Sequence, residues 1–313
     1  MRVTVSLAAA RASPWMELFA QALPDAVIER REPDAPVREN VPAPDFIVMT
    51  GPCATVLAES PRPRALFATG AGIAHLLRLP DLPPDLPVIR VEDAGMAAQM
   101  VRYVLAVALR VCGHGDAYRA QQLQSRWRQH PPREPAALRV GVLGLGLIGS
   151  AIARALVHEG FAVRGHARGP KALPGVECHA GAASLPAFLS GLDLLICVVP
   201  DTRETADLLD RTTLARLADG AHVVNIGRGS VLVDDDLVAL LDAGKLGGAT
   251  LDVFREEPLP EAHPFWRHPA ITITPHVSGI TIPAPTVAQI AGKMRQVMRG
   301  EPVSGVVDRG RGY

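Results

Sequence analysis

Gly144, Gly146 and Gly149 stand as G-x-G-x-x-G within Val140-Gly141-Val142-Leu143-Gly144-Leu145-Gly146-Leu147-Ile148-Gly149. An apolar, strand-like run precedes them and helix-forming residues follow. Each glycine has a physical use. The first permits a tight turn, the second lets a pyrophosphate approach the backbone, and the third lets strand and helix pack closely. The phosphates then rest on the helix N-terminus, where unpaired N–H groups and the helix dipole favour anions. Such a motif is weak alone and gains force from its strand–turn–helix setting. Gly144, Gly146, Leu147, Ile148 and Gly149 are therefore assigned to a bound dinucleotide.

The next strand-like run selects among dinucleotides. It ends in Val163-Arg164-Gly165-His166-Ala167-Arg168-Gly169-Pro170-Lys171. A site for NAD places Asp or Glu about twenty residues after the glycines, to hold the ribose 2′-hydroxyl. Here Ala167 takes that place, Arg168 follows and Lys171 is close by. A carboxylate would repel a 2′-phosphate, whereas a guanidinium grips it with charge-assisted hydrogen bonds. Taken alone, the two cations are ordinary surface residues. The missing acid turns the reading to NADP(H).

Three further segments follow in order: Asn225-Ile226-Gly227-Arg228-Gly229-Ser230, Leu251-Asp252-Val253-Phe254-Arg255-Glu256-Glu257-Pro258-Leu259 and Thr274-Pro275-His276-Val277-Ser278-Gly279. Their order and spacing resemble the D-2-hydroxyacid dehydrogenase family. Thr69-Gly70-Ala71-Gly72, Glu92-Asp93-Ala94-Gly95-Met96 and Val307-Asp308-Arg309-Gly310-Arg311-Gly312-Tyr313 resemble its bacterial glyoxylate/hydroxypyruvate reductase A branch. The resemblance covers nearly the whole chain. It implies NADPH-dependent reduction of a small 2-keto acid to the D-2-hydroxy acid. Such a reaction needs a hydride donor, a cation for the carboxylate and carbonyl oxygen, and a proton donor.

The resemblance assigns these roles residue by residue. Arg228 pairs with the substrate carboxylate and polarises the keto group, tasks that suit its rigid fork. His276 is the general acid in reduction and the base in oxidation. Glu257 orients the imidazole and favours its protonated form. Asp252 faces the nicotinamide end of the cofactor, and Pro200, Thr202, Ile226 and Gly227 line the cofactor cleft. The amides of Ala71 and Gly72 share the substrate carboxylate with Arg228, and His276 completes the substrate-binding set. One departure is visible: many relatives carry Asp where this chain has Ala74.

Each residue also has a plainer reading. A lone Arg after a strand is usually a surface cation and a lone His is usually structural, as His263 and His268 are taken to be. Arg228, Glu257 and His276 together behind a glycine loop outweigh that reading. Two alternatives stay open. One is a reductase for bulkier 2-keto acids, with Met49, Thr50 and Met96 lining the pocket. The other is a non-catalytic dinucleotide sensor on the same fold, which fold alone does not exclude.

The elements that must position these residues read as alternating strands and helices. Arg2–Leu7, Ala26–Glu29, Phe46–Met49, Ala65–Ala68 and Val88–Val91 read as buried strands, and Ser13-Pro14 as the cap and first residue of a helix over Trp15–Leu23. From near Asp93, Met96, Met100, Tyr103, Val104, Val107, Ala108 and Val111 recur at helical spacing, and the stripe reads as core packing. Arg126 to Pro135 reads as a loop that touches a second copy of the chain. Strands are then expected at 138–143, 162–165, 192–199, 222–226, 249–253 and 271–273, with helices at 150–159, 214–217 and 235–243. A last helix is expected at 285–298, and 301–313 is a tail. The fold expected is α/β: two doubly wound parallel-sheet domains. A flavodoxin-like substrate domain, 1–93 with 284–313, is split by an inserted Rossmann dinucleotide domain, 94–283.

Composition fits this design. The chain has 313 residues, 48% hydrophobic and 20% charged, with zero formal net charge. That suits a folded protein with a sizeable core and argues against capture of nucleic acid or a membrane surface. Cys53, Cys112, Cys178 and Cys197 are scattered, so neither a disulfide frame nor a metal site is expected. The alternation of Arg2 to Leu7 favours a strand over a signal peptide. The expected protein is a cytoplasmic homodimer.

Overall fold

The structure is a computed structural model that describes residues 1–8, 12–33, 35–49, 54–59, 62–70, 72–77, 79 and 82–310. The chain divides into two compact units, Met1–Gly95 with Thr281–Tyr313, and Met96–Ile280.

The first unit opens with β1 (Arg2–Ser6), α1 (Ala12–Ala22), β2 (Val27–Arg31), β3 (Phe46–Met49), α2 (Ala54–Glu59), β4 (Ala65–Ala68), α3 (Ala74–Leu77) and β5 (Val88–Arg90). The strands form one parallel sheet in the order β2-β1-β3-β4-β5, the flavodoxin-like arrangement. β3 and β4 are buried along their whole length, as strands covered on both faces must be. β2 corrects the expectation of a buried strand at 26–29. It runs from Val27 to Arg31 on the sheet edge, with Val27 54% exposed, because only β1 pairs with it. Its last residue, Arg31, is buried and pairs with Glu59 at the end of α2. α1 begins at Ala12, so Ser13 and Pro14 lie within its first turn, and Trp15 and Phe19 face inward one turn apart. α2 and α3 occupy stretches that read as loops.

The second unit begins with α4 (Met96–Cys112) and α5 (Gly115–Leu123). There follow β6 (Arg139–Leu143), α6 (Leu147–His158), β7 (Ala162–Ala167), β8 (Val176–Ala180), α7 (Leu185–Leu189), β9 (Leu194–Cys197), α8 (Arg211–Leu214), β10 (Ala221–Asn225), α9 (Asp234–Asp242), β11 (Leu246–Leu251) and β12 (Ile271–Ile273). The parallel sheet runs β12-β11-β10-β9-β6-β7-β8. This is the Rossmann order with one added strand. Its direction reverses between β6 and β9, where ligands bind beyond the strand ends. On one face α4 and α6 pack Met100, Val104, Ile152 and Leu156 against Val140, Val142 and Ile196. On the other, Phe188, Leu214, Leu237 and Leu240 cover Leu195, Val223 and Leu251.

The chain then returns to the first unit with α10 (Pro283–Met298). Val287, Ile290, Ala291 and Met294 complete the core around Val3, Val5, Phe19 and Phe46. The segment after α10 is more than a tail. Val306 bridges Ile89 in antiparallel fashion, Arg90 N donates to Gly305 O at 2.9 Å and Val307 N to Val88 O at 2.8 Å. These bonds cover the free edge of β5. Among the described residues no single helix is long and apolar enough to cross a membrane.

Candidate active site

The three glycines of the β6–α6 turn differ in what surrounds them. Gly144 has φ +105°, where L side chains are strained, and an added Cβ would stand 3.0 Å from Val198 O. At Gly149 a Cβ would stand 1.7 Å from Gly144 O. At Gly146, the N-cap of α6, it would meet nothing within 4 Å. The protein's own backbone therefore demands the first and third glycines, and the second leaves the helix N-terminus bare. Leu147 is exposed and Ile148 half-buried beside it, and the N–H groups of a first helical turn have no intrahelical acceptor. The cradle fits a pyrophosphate.

Gly144 N donates to His166 O at 2.9 Å, which pins this turn to the end of β7. There Ala167 is half-buried, and Arg168 and Lys171 are exposed in the loop that follows. His166 lies beneath, its Nε2 on Gly181 O at 3.0 Å; burial holds its pKa below the usual value.

β10 delivers Arg228. Its last residue, Asn225, is fully buried and bonds the turn ahead of it. Asn225 Oδ1 accepts from Gly227 N at 3.1 Å, and its Nδ2 donates to Arg228 O at 3.0 Å. Ile226 is buried, and a Cβ on Gly227 would stand 2.7 Å from Val199 O. The Arg228 side chain donates to Gly227 O at 2.6 Å and has no ion pair with a carboxylate among the described residues. Burial lowers its pKa, and the charges of Glu257 and Asp201 act in the opposite sense. Asp201 accepts from Ser230 Oγ at 2.8 Å, which joins the Arg228 turn to the Pro200–Thr205 turn. In the latter Thr205 Oγ1 donates to Pro200 O at 2.6 Å and Thr202 N donates to Thr205 Oγ1 at 2.9 Å.

Asp252, just past β11, is 0% exposed. Its carboxylate accepts Thr274 Oγ1 at 2.5 Å, Val277 N at 2.8 Å and Ser278 N at 2.9 Å. These bonds bracket His276, whose own φ is +54° and whose N–H donates to Thr274 O at 3.0 Å. His276 Nδ1 meets Glu257 Oε2 at 2.7 Å, and Glu257 Oε1 accepts from Phe254 N at 2.9 Å. The imidazole is thus fixed through Nδ1 and half-exposed, and Nε2 is left for a reacting group.

The second unit therefore gathers the glycine turn, Ala167, Arg168, Arg228, Asp252, Glu257 and His276 at the C-terminal ends of its strands. Of the two loop residues assigned to the substrate carboxylate, Ala71 lies outside the described residues. Gly72 lies in the first unit, ahead of α3. Thr50 and Arg311 to Tyr313 are also outside the described residues. Sequence reasoning passed over Asn225, Thr274 and Gly229, whose added Cβ would stand 1.9 Å from Phe254 C. The signal was there for Asn225: a polar residue closing a buried apolar strand must find partners.

With this geometry in view, comparison with known proteins is direct. Residues 105–278 match the family described as "D-isomer specific 2-hydroxyacid dehydrogenase, NAD binding domain". The chain belongs to the D-isomer specific 2-hydroxyacid dehydrogenases. It is 41% identical over 307 residues to a glyoxylate/hydroxypyruvate reductase A of Serratia proteamaculans, covering 96% of each chain. Among solved structures, a family member from Xanthobacter autotrophicus Py2, in complex with NADPH and MES, is similar with a TM-score of 0.92. It is 35% identical, with 100% of this chain and 99% of that one covered. An NADPH-dependent glyoxylate/hydroxypyruvate reductase from Sinorhizobium meliloti, with NADP and sulfate, has a TM-score of 0.91. Its identity is 30%, with 100% and 99% covered.

Proposed function

We propose that this chain reduces small 2-keto acids, glyoxylate and hydroxypyruvate foremost, to D-2-hydroxy acids with NADPH. The observation that carries the reading is a half-buried Arg228 without an ion-paired carboxylate among the described residues, in the electrostatic company of the Glu257–His276 pair. A partly desolvated cation without a paired anion is costly, and a substrate carboxylate relieves it. The same fork polarises the adjacent carbonyl. NADPH, when bound, supplies the hydride. His276 gives its Nε2 proton to the carbonyl oxygen as negative charge develops there, and Glu257 holds the ring through Nδ1. Asp252 is assigned to the nicotinamide end, Pro200, Thr202, Ile226 and Gly227 to the cofactor cleft, and Arg168 and Lys171 to the 2′-phosphate.

The deciding experiment is a panel of 2-keto acids assayed by NADPH oxidation. Glyoxylate and hydroxypyruvate lead in kcat/KM, and plain aldehydes are inert. A phenylpyruvate or branched-chain preference of about tenfold or more would reassign the substrate to the bulkier class. Arg168→Ala weakens NADPH by about 1.5–3 kcal/mol, as expected for a hydrogen bond to a charged group, and leaves NADH almost unchanged.

The assembly proposed is a homodimer. Leu123, the last residue of α5, is 83% exposed and Trp127, in the stretch between α5 and β6, 98%, an unusual setting for large apolar side chains. The place of action proposed is the cytoplasm, since Cys112, Cys178 and Cys197 are free thiols.

A further inference from the structure

One face of α4 carries more than core packing. Gln99, Met100, Tyr103 and Arg110 recur at helical spacing and meet the segment from Thr272 to Ile280. Gln99 Nε2 donates to Ile280 O at 2.9 Å, and Ile280 N donates to Gln99 Oε1 at 3.3 Å. Gly279 lies so close that a Cβ would stand 2.7 Å from Met96 Cγ and 2.9 Å from Met100 Cγ. Arg110 Nη1 donates to Thr272 Oγ1 at 3.2 Å. Between these anchors, Tyr103 OH and Thr274 Oγ1 are 2.7 Å apart.

Hydrogen-bond inventory fixes the direction of that last contact. A threonine hydroxyl has one proton to give. Asp252 accepts at 2.5 Å from Thr274 Oγ1, so that proton goes to the carboxylate. Thr274 Oγ1 must then accept, and Tyr103 donates. The result is a one-way chain from Tyr103 to Thr274 to Asp252, which in turn takes the amides of Val277 and Ser278. His276 sits between these bonds in a left-handed conformation that a non-glycine residue keeps only when its surroundings impose it.

We infer that Tyr103 is a positioning residue: through Thr274 and Asp252 its hydroxyl fixes the backbone conformation in which His276 delivers its proton. The inference rests on the proposed ketoacid reduction. It concerns a side chain without any assigned part in that reaction. Among the described residues Tyr103 bonds Thr274 and not Glu257, which holds the His276 ring. It acts two hydrogen bonds away, so its loss moves turnover rather than ligand binding.

The test uses Tyr103→Phe, Thr274→Val, Thr274→Ser and the Tyr103→Phe/Thr274→Val pair in the full chain, against glyoxylate and NADPH. Tyr103→Phe lowers kcat by about fivefold to tenfold, the scale of one lost hydrogen bond, with KM for glyoxylate and Kd for NADPH within about twofold. Thr274→Val falls at least as far, Thr274→Ser restores turnover because it keeps the hydroxyl, and the double variant is no worse than Thr274→Val alone. A second readout needs no turnover. The His276 imidazole resonances, assigned by their loss in His276→Ala, shift or broaden in Tyr103→Phe and Thr274→Val and hold in Thr274→Ser. Inert wild-type protein would refute the reductase reading and leave the resonances to decide the positioning role. Unaltered kcat and unmoved resonances in Tyr103→Phe would overturn it. So would a lowered melting temperature as the only effect, or Thr274→Ser falling as far as Thr274→Val.

Discussion

His276 and Glu257 share a hydrogen bond of 2.7 Å, and substitution separates what each contributes. His276→Ala removes the proposed proton donor and lowers kcat by roughly 10²–10⁴-fold, the usual share of a general acid. Glu257→Gln keeps an acceptor for Nδ1 and loses the charge, so its kcat lies between wild type and His276→Ala. Steady-state rates with saturating NADPH rank the three. A Glu257→Gln enzyme as slow as His276→Ala would show that the charge, rather than orientation, dominates.

At the level of elements, the β6–α6 turn makes two glycine substitutions diverge. Gly149→Ala puts a methyl 1.7 Å from Gly144 O and destabilises the fold by about 1–3 kcal/mol or more, read from urea unfolding. Gly146→Ala meets only open space, so unfolding moves by no more than about 0.5 kcal/mol while NADPH affinity, measured by fluorescence titration, collapses. Equal stability losses at both positions would contradict the assignment of Gly146 to the ligand. This turn was legible in the sequence because glycine spacing, an apolar strand and a helix coincide there. The central strands were legible for a related reason. β3, β4 and β9 follow uninterrupted apolar runs, and two-sided burial requires such runs. β8 was not legible. Val176-Glu177-Cys178-His179-Ala180 is polar and half-exposed, and only its place on the edge beside β7 makes it a strand. The His276 segment was legible as chemistry and hidden as architecture. No periodicity shows that Asp252 takes three hydrogen bonds from the residues around the histidine, or that a stripe read as core, running through Tyr103, meets Thr274.

For the molecule as a whole, acid is the expected weakness. His222 is buried, with Nε2 on Thr250 Oγ1 at 2.8 Å, and burial, with the nearby Arg110 charge, pushes its pKa down to about 3. The unfolded chain gains this proton near pH 6.5 and the folded chain only near 3. Stability is therefore full above 6.5 and falls as pH drops towards 3, by about 2–3 kcal/mol between pH 7 and 4.5. Glu59 acts lower on the scale. Burial would raise its carboxyl, yet hydrogen bonds from Arg31 and Arg38 bring it down to about 2. Its contribution is complete above about 4.5 and is lost as pH falls towards 2. Melting temperatures across pH 4–8 check the first step, which flattens in His222→Gln; a profile already flat in wild type would sink it. Assembly gives the second prediction at this scale. Trp127→Glu places a charge on the proposed dimer surface, and light scattering then reports the mass of one chain. A dimer that persists in that variant would move the interface elsewhere.

The first unit borrows Val287, Ile290, Ala291 and Met294 from a helix encoded near the end of the chain. On a ribosome this fixes a timetable. The sheet of β1 to β5 emerges first and waits, one face covered only in part, by α1, while roughly 200 further residues are made, about 10–40 s at ordinary elongation rates. The dinucleotide unit has all its strands by then and can close before the unit that precedes it. A nascent chain stalled before Pro283 would thus expose Val3, Val5, Phe19 and Phe46 to chaperones while already offering a finished cradle to a nucleotide phosphate.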